Sequence, residues 1–223
     1  MIYESGLISL AVQLITGGID VWGLMHPVTK KTKTLNQLLK VELSVQIVEL
    51  LFYVWLIFNI KNIKNITVNR YYDWFITTPT MLITFMILLS LNPEATNIPS
   101  LPEFIKENRT DILAVVFLNA MMLLLGLLGE ITPKSNLVYV FAGMIPFLMY
   151  FYKIYNHFVK PNKDKPSYIP RDKVFFYFFI IWALYAVAAL MPYNAKNIMY
   201  NILDLFAKNF LGVFLVYLIK TRA

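Results

Sequence analysis

Asp204 and Lys208 stand four residues apart in NILDLFAKNFLGVFLVYLIK, a stretch otherwise oily enough to lie in lipid. That spacing puts an acid and an amine on one helical face, one turn apart. A charge held in mid-bilayer costs at least about 3 kcal/mol, so each one needs a partner or a role. A self-neutralising ion pair would meet that need by structure alone. A lysine amine can also form a Schiff base with an aldehyde, and its protonated form in lipid needs carboxylates beside it.

The segment RYYDWFITTPTMLITFMILL supplies a matching set. Asp73 falls inside the apolar run, Arg70 one turn before it and Thr77 one turn after; Thr84 is eleven residues on, again on that face. Pro79 interrupts the backbone ladder, a defect that membrane helices tolerate. A long conjugated aldehyde would need aromatic walls, and Trp74 with Trp182 and Tyr185 of IIWALYAVAAL can provide them. Singly, such aromatics are ordinary packing or interface residues. A second polar set lies in LNQLLKVELSVQIVELLFYVWLIFNI, where Glu42, Gln46, Glu49 and Tyr53 form one stripe on an oily helix. Glu42 is near enough to the helix end to snorkel; Glu49 is too deep to reach water unaided.

These groups require long apolar helices to carry them. Each crossing takes roughly 20 residues, and seven stretches qualify, at about 4–25, 37–60, 70–91, 111–130, 136–158, 174–192 and 198–219. Breakers fill the gaps: His26-Pro27, Asn92-Pro93, Thr132-Pro133, and Pro161 through Pro170. The expected fold is an all-α seven-transmembrane-helix bundle, a multi-pass integral membrane protein whose partner is the lipid bilayer, read as a single domain over 1–223. With 58% hydrophobic and 15% charged residues, a soluble domain is excluded. The formal charge of +7 does not point to nucleic acid, because the basic residues lie in short gaps between apolar runs. The chain has no cysteine, which excludes disulfides and thiolate metal sites, and its two histidines sit near helix ends, so no metal site is expected. Fourteen of the 20 lysines and arginines fall in or beside the gaps after spans one, three and five or in the tail, and four in the gaps after spans two, four and six. The positive-inside rule then puts the N-terminus outside and the C-terminus in the cytoplasm.

Together RYYDWFITTP, WALY and DLFAK, with weaker support from GLLGE, resemble the microbial (type I) rhodopsins, the bacteriorhodopsin-like proteins. Short loops and the minimal tail KTRA are similar to the compact viral members. The resemblance implies all-trans retinal held as a Schiff base on Lys208. It makes Asp73 the primary counterion and proton acceptor, Asp204 the second counterion, and Arg70 a mobile arginine on the outward side. It gives a pocket of Tyr53, Trp74, Thr77, Thr78, Met81, Met122, Trp182 and Tyr185, with Asn119 bonding across to Thr78 and Thr77 holding Asp73. Homo-oligomers, trimers or pentamers, are common in the family.

Several positions depart from the family pattern. Thr84 stands where pumping members often carry an acid, and Lys196 and a short loop replace the extracellular release acids. Ala186 replaces a proline that often follows WxxY, so the sixth span lacks the residue that bends it in relatives. Set against Tyr53 as the pocket tyrosine, Glu42 lands eleven residues toward the cytoplasm, at the level of Thr84. It is the expected substitute proton donor of an outward light-driven proton pump. The same stripe supports an alternative. Glu49 with Asn209, beside Ser9 or Gln13, resembles the central gate of a light-gated cation channel, with Gln46 on the path. A photosensory receptor read by a separate partner is a third possibility. The transported species is a proton or a monovalent cation, and the chain is a transporter or channel, not an enzyme.

Overall fold

In the computed structural model, which describes Met1–Arg222, the described residues form helices joined by short connections. The first, α1, runs Ile2–Leu24 and stops just before His26-Pro27, where proline bars further helix. Next comes α2, Lys33–Asn59. Then α3, Ile66–Ser90, starts on Asn65, whose side chain accepts from the Val68 amide at 3.3 Å; it carries Pro79 internally and ends ahead of Asn92-Pro93. The connection to the fourth span holds a short helix not expected from the sequence, α4, Leu101–Glu107. Glu103 reaches back to the Ser100 amide at 2.7 Å, the reciprocal half of a capping box.

The remaining spans are α5, Arg109–Ile131; α6, Asn136–Ile154, extended by a π turn at Tyr155–Val159; and α7, Arg171–Ala189. The last span is composite: α8, Tyr193–Asp204, a π turn at Leu205–Asn209, then α9, Phe210–Arg222. Among the described residues, seven helical stretches are thus long and apolar enough to cross a membrane. No proline interrupts α7, consistent with Ala186 replacing a bend-forming residue.

Each span packs on the next, and α8 and α9 return to α1, closing the bundle. Its polarity is inverted relative to a soluble protein. Ile8, Ile15, Phe58, Ile76, Phe117 and Tyr152 are exposed, whereas Glu42, Glu49, Arg70, Asp73, Asp204 and Lys208 are buried. Lipid can solvate the first set but not the second, so polar groups must turn inward and find one another. On α1 the buried positions are Gly6, Ser9, Gln13, Thr16, Asp20 and Gly23, an inward face made wholly of small or polar residues.

Arg171 ties one end of the bundle together. Its guanidinium donates to the carbonyls of Leu89 (2.7 Å), Leu91 (2.9 Å), Asn162 (2.7 Å), Lys165 (2.7 Å) and Pro166 (2.9 Å). It thereby satisfies backbone groups that the ends of α3 and of the α6 extension leave open.

Candidate functional site

Lys208 lies near the middle of the 30-residue last span and is 2% exposed. It belongs to the π turn Leu205–Asn209, a widened turn of a kind often found at functional sites. Its Nζ faces three carboxylates: Asp73 Oδ2 at 2.5 Å, Asp204 Oδ1 at 3.7 Å and Glu49 Oε1 at 3.9 Å. The sequence expectation named two counterions and gave Glu49 to a gate, but Glu49 stands beside the lysine. An ammonium has three N–H donors and an imine nitrogen at most one, so modification of Lys208 would leave one carboxylate favoured over the others.

The two aspartates are solvated very differently. Asp204 accepts from Tyr53 Oη at 2.9 Å, Tyr185 Oη at 2.8 Å and Arg70 Nη1 at 3.4 Å. Asp73 receives Lys208 on Oδ2, and among the described residues its Oδ1 has no partner. Thr77 does not fill that gap. Its hydroxyl donates to the Asp73 backbone carbonyl at 3.0 Å, the i−4 bond that a threonine makes inside a helix, so the expected tie to the carboxylate is absent.

Arg70 is fully buried. Besides Asp204 it donates to Asn197 (3.2 Å to Oδ1, 3.3 Å to the carbonyl), to Tyr53 Oη at 3.3 Å and to Asn201 Oδ1. The rings of Phe52, Tyr53 and Tyr200 each lie 5.7 Å from the guanidinium carbon. The asparagines of α8 were not singled out by the sequence reading. Their signal is the 197–201–204 spacing, one face of a helix.

A cavity runs from Lys208 between α3, α5, α6 and α7. Trp74, Thr78, Met81, Met122, Trp182 and Tyr185 border it, as does Ala186. Tyr53 and Thr77, expected on its wall, are not there. Tyr53 belongs to the Asp204–Arg70 cluster, because its hydroxyl finds a stronger acceptor in a carboxylate than in an apolar slot. Asn119 Nδ2 donates to Thr78 Oγ1 at 2.8 Å and joins α5 to α3. Wall residues the sequence did not single out include Tyr71, Gly126, Tyr139, Gly143, Phe147 and Tyr200. Gly126 keeps the slot open, since a Cβ there would come 2.5 Å from Tyr71 Oη. An elongated, aromatic-walled slot ending on a buried amine with carboxylates beside it fits retinal.

Glu42, which does not line the cavity, is buried beside Thr84, and among the described residues neither carboxyl oxygen has a partner. Thr84 donates instead to the Thr80 carbonyl at 3.4 Å. The gate residues are not joined to one another. Ser9 donates to the Asn201 carbonyl at 2.9 Å, Asn209 to Thr16 at 3.2 Å and Gln46 to Asp20, while Glu49 and Gln13 have no hydrogen-bond partners among the described residues. Lys196 meets Glu130 at 2.7 Å. Asp20 was missed; its signal was the Gln13–Thr16–Asp20 spacing within the first apolar run, the same rule that exposed the stripe on α2.

The sequence model of the family described as Bacteriorhodopsin-like protein matches residues 6–222. The crystal structure of the viral rhodopsin OLPVRII is 28% identical, with a TM-score of 0.80 over 96% of this chain and 95% of that one. The thermophilic rhodopsin from Rubrobacter xylanophilus superposes with a TM-score of 0.81 at 15% identity, over 100% and 97% of the two chains. Xanthorhodopsin, described as a light-driven ion pump with dual chromophore, gives 0.78 at 18% identity, over 99% and 92%. The last two likenesses concern the fold alone. No curated protein matches the chain. A family match over nearly its whole length, a bundle of seven apolar helices and a buried lysine in the last of them lead to one statement: the chain belongs to the bacteriorhodopsin-like family of microbial rhodopsins, integral multi-pass membrane proteins that hold retinal on a lysine.

Proposed function

We propose that the chain is one retinal-binding domain that works as an outward light-driven proton pump. Lys208 would carry the retinal, Asp73 would accept the proton and Glu42 would supply the next one. The observation that carries this reading is the unequal solvation of the two aspartates. Asp204 accepts from three donors, whereas among the described residues Asp73 has a single side-chain partner, the Lys208 nitrogen. A carboxylate stabilised by few hydrogen bonds is the one that takes a proton when its cation moves away.

Bound to Lys208, retinal supplies light absorption and a change of shape that turns the lysine nitrogen. The chain's own residues do the rest. Lys208 gives its proton to Asp73. Arg70, already shared among Asp204, Tyr53 and the α8 asparagines, shifts its bonds outward and lets the proton leave through water. The proton returns to the lysine by way of Glu42, from the side rich in lysine and arginine, which the positive-inside rule makes cytoplasmic. Trp74, Trp182 and Tyr185 hold the chromophore in place and keep bulk water from the slot.

A second reading, a light-gated cation channel, is favoured by one feature. The inward face of α1 carries only small or polar side chains and meets Asn209 and Gln46 along one seam.

Whole-cell recording under light separates the two. A current that stays outward against the proton gradient supports the pump; one that changes sign with the gradient supports the channel and overturns it. Lys208→Ala should give neither current nor pigment. A retinal-dependent visible band in that variant would remove the basis of both readings.

A further inference from the structure

Asp20 is fully buried, and Gln46 Nε2 donates to its Oδ2. The Thr16 hydroxyl lies 3.4 Å from Gln46 Oε1, and Asn209 Nδ2 donates to Thr16 Oγ1 at 3.2 Å. A line of hydrogen-bonding groups therefore runs from the residue beside Lys208, across α1 and α2, to a carboxyl on α1. Gly212, one turn past Lys208, makes the room. A Cβ there would collide with Asp20 Oδ2 and come 2.7 Å from Gln46 Nε2. This fixes the depth of Asp20 at about one turn from the lysine. Glu42 lies one turn farther out along α2 than Gln46.

Two further observations bear on what Asp20 does. Among the described residues it forms no ion pair and its Oδ1 has no partner, the same being true of Asn209 Oδ1 and both ends of the Gln13 amide. An unpaired carboxylate inside an apolar bundle is far costlier than the neutral acid. The polar atoms along the line can bond water, through which a proton can move.

We propose that Asp20 is the carboxyl that hands its proton directly to the Lys208 nitrogen, and that Glu42 refills Asp20; this rests on the pump reading. In the first step the Asp20 O–H bond breaks and an N–H bond forms at Lys208, leaving the Asp20 carboxylate. In the second the Glu42 O–H bond breaks and Asp20 is reprotonated. Glu42 then takes a proton from cytoplasmic water, and one proton has moved inward to the lysine. Gln46, Thr16 and Gly212 are positioning residues.

The test is flash photolysis of purified, retinal-bound protein. Asp20→Asn should slow the first-flash return of the proton to Lys208 by about 100-fold, the scale of a lost general acid. Added azide, a small diffusible acid, should restore it, and Asp20→Glu should recover most of the rate. Glu42→Gln should act chiefly on a closely following second flash, because Asp20 enters the first one already loaded. Return at the wild-type rate in Asp20→Asn overturns the proposal. So does a slow first flash in Glu42→Gln alone, which would make Glu42 the direct donor and leave the pump reading intact. If the predicted flash pattern holds while cells carry no outward current, the pump reading fails and Asp20 stands as donor. A readout without retinal is infrared absorption of the protonated carboxyl. Asp20→Asn should remove one band from the retinal-free protein, and an unchanged spectrum overturns the proposal. Should Asp20→Asn not fold, Thr16→Val cuts the line while keeping both carboxyls; an unslowed first flash in that variant also overturns it.

Discussion

Lys196 Nζ lies 2.7 Å from Glu130 Oε1, and both side chains are buried where α8 approaches the end of α5. Removing one partner strands the other charge away from water. Lys196→Met or Glu130→Gln should each destabilise the folded protein by roughly 3 kcal/mol, and the double replacement by apolar residues should recover most of that loss. A double-mutant cycle on thermal unfolding reads the coupling. Additive losses would show that the pair is not coupled.

Asp73→Asn and Asp204→Asn should behave differently, although both acids face Lys208. The first removes the close partner of the lysine nitrogen; it should shift the visible band and abolish fast proton loss from that nitrogen. The second disturbs three donors at once, Tyr53, Tyr185 and Arg70, and should lower thermal stability by about 1–3 kcal/mol. Absorption spectra and melting curves of the two variants, measured side by side, check this.

Gly212→Ala adds one methyl group where Asp20 and Gln46 meet. The atoms in its way are the ends of flexible side chains, so the helices can stay put while the Gln46–Asp20 bond is lost. Overpacking of this kind typically costs about 1–3 kcal/mol. The expected result is a folded pigment with a modest loss of melting temperature. A melting temperature equal to wild type would show that the notch is larger than described.

Arg171→Ala withdraws donors from five carbonyls at once. With hydrogen bonds to a charged group each contributing about 1.5–3 kcal/mol, the loss should exceed roughly 3 kcal/mol. Arg171→Lys should not restore it, because an ammonium cannot spread donors over so wide an arc. Hydrogen exchange should quicken first at the end of α3 and in the α6 extension.

The crossings were legible in the sequence because a bilayer demands long apolar runs and tolerates few exceptions. Those exceptions, Asp73, Asp204 and Lys208, pointed inward for the same reason, and the structure brings the three together. Facing and depth were harder to read. Asp20 sits near the end of its helix by number, yet α2 begins farther out, so the Gln46 beside it is thirteen residues in. Thr77 shares a face with Asp73, but whether its hydroxyl bonds a side chain or its own backbone is a rotamer choice that spacing does not encode. Tyr53 has the composition of a pocket wall and the hydrogen-bonding appetite of a phenol. Arg70 and Asp204 beside it decided which prevailed.

The widened turn at Leu205–Asn209 accommodates one more residue than a regular coil would. In a plain α-helix that surplus would rotate everything beyond it by about 100°. Asn197, Asn201 and Asp204 can therefore face the buried guanidinium from one half of the span, while Gly212 in the other half faces the first helix. Deleting a single amino acid from the turn would leave a regular coil with both halves facing as they do now, whereas tightening the turn at constant length would swing Gly212 about 100° away from the aspartate–glutamine pair while the arginine cluster stayed in place.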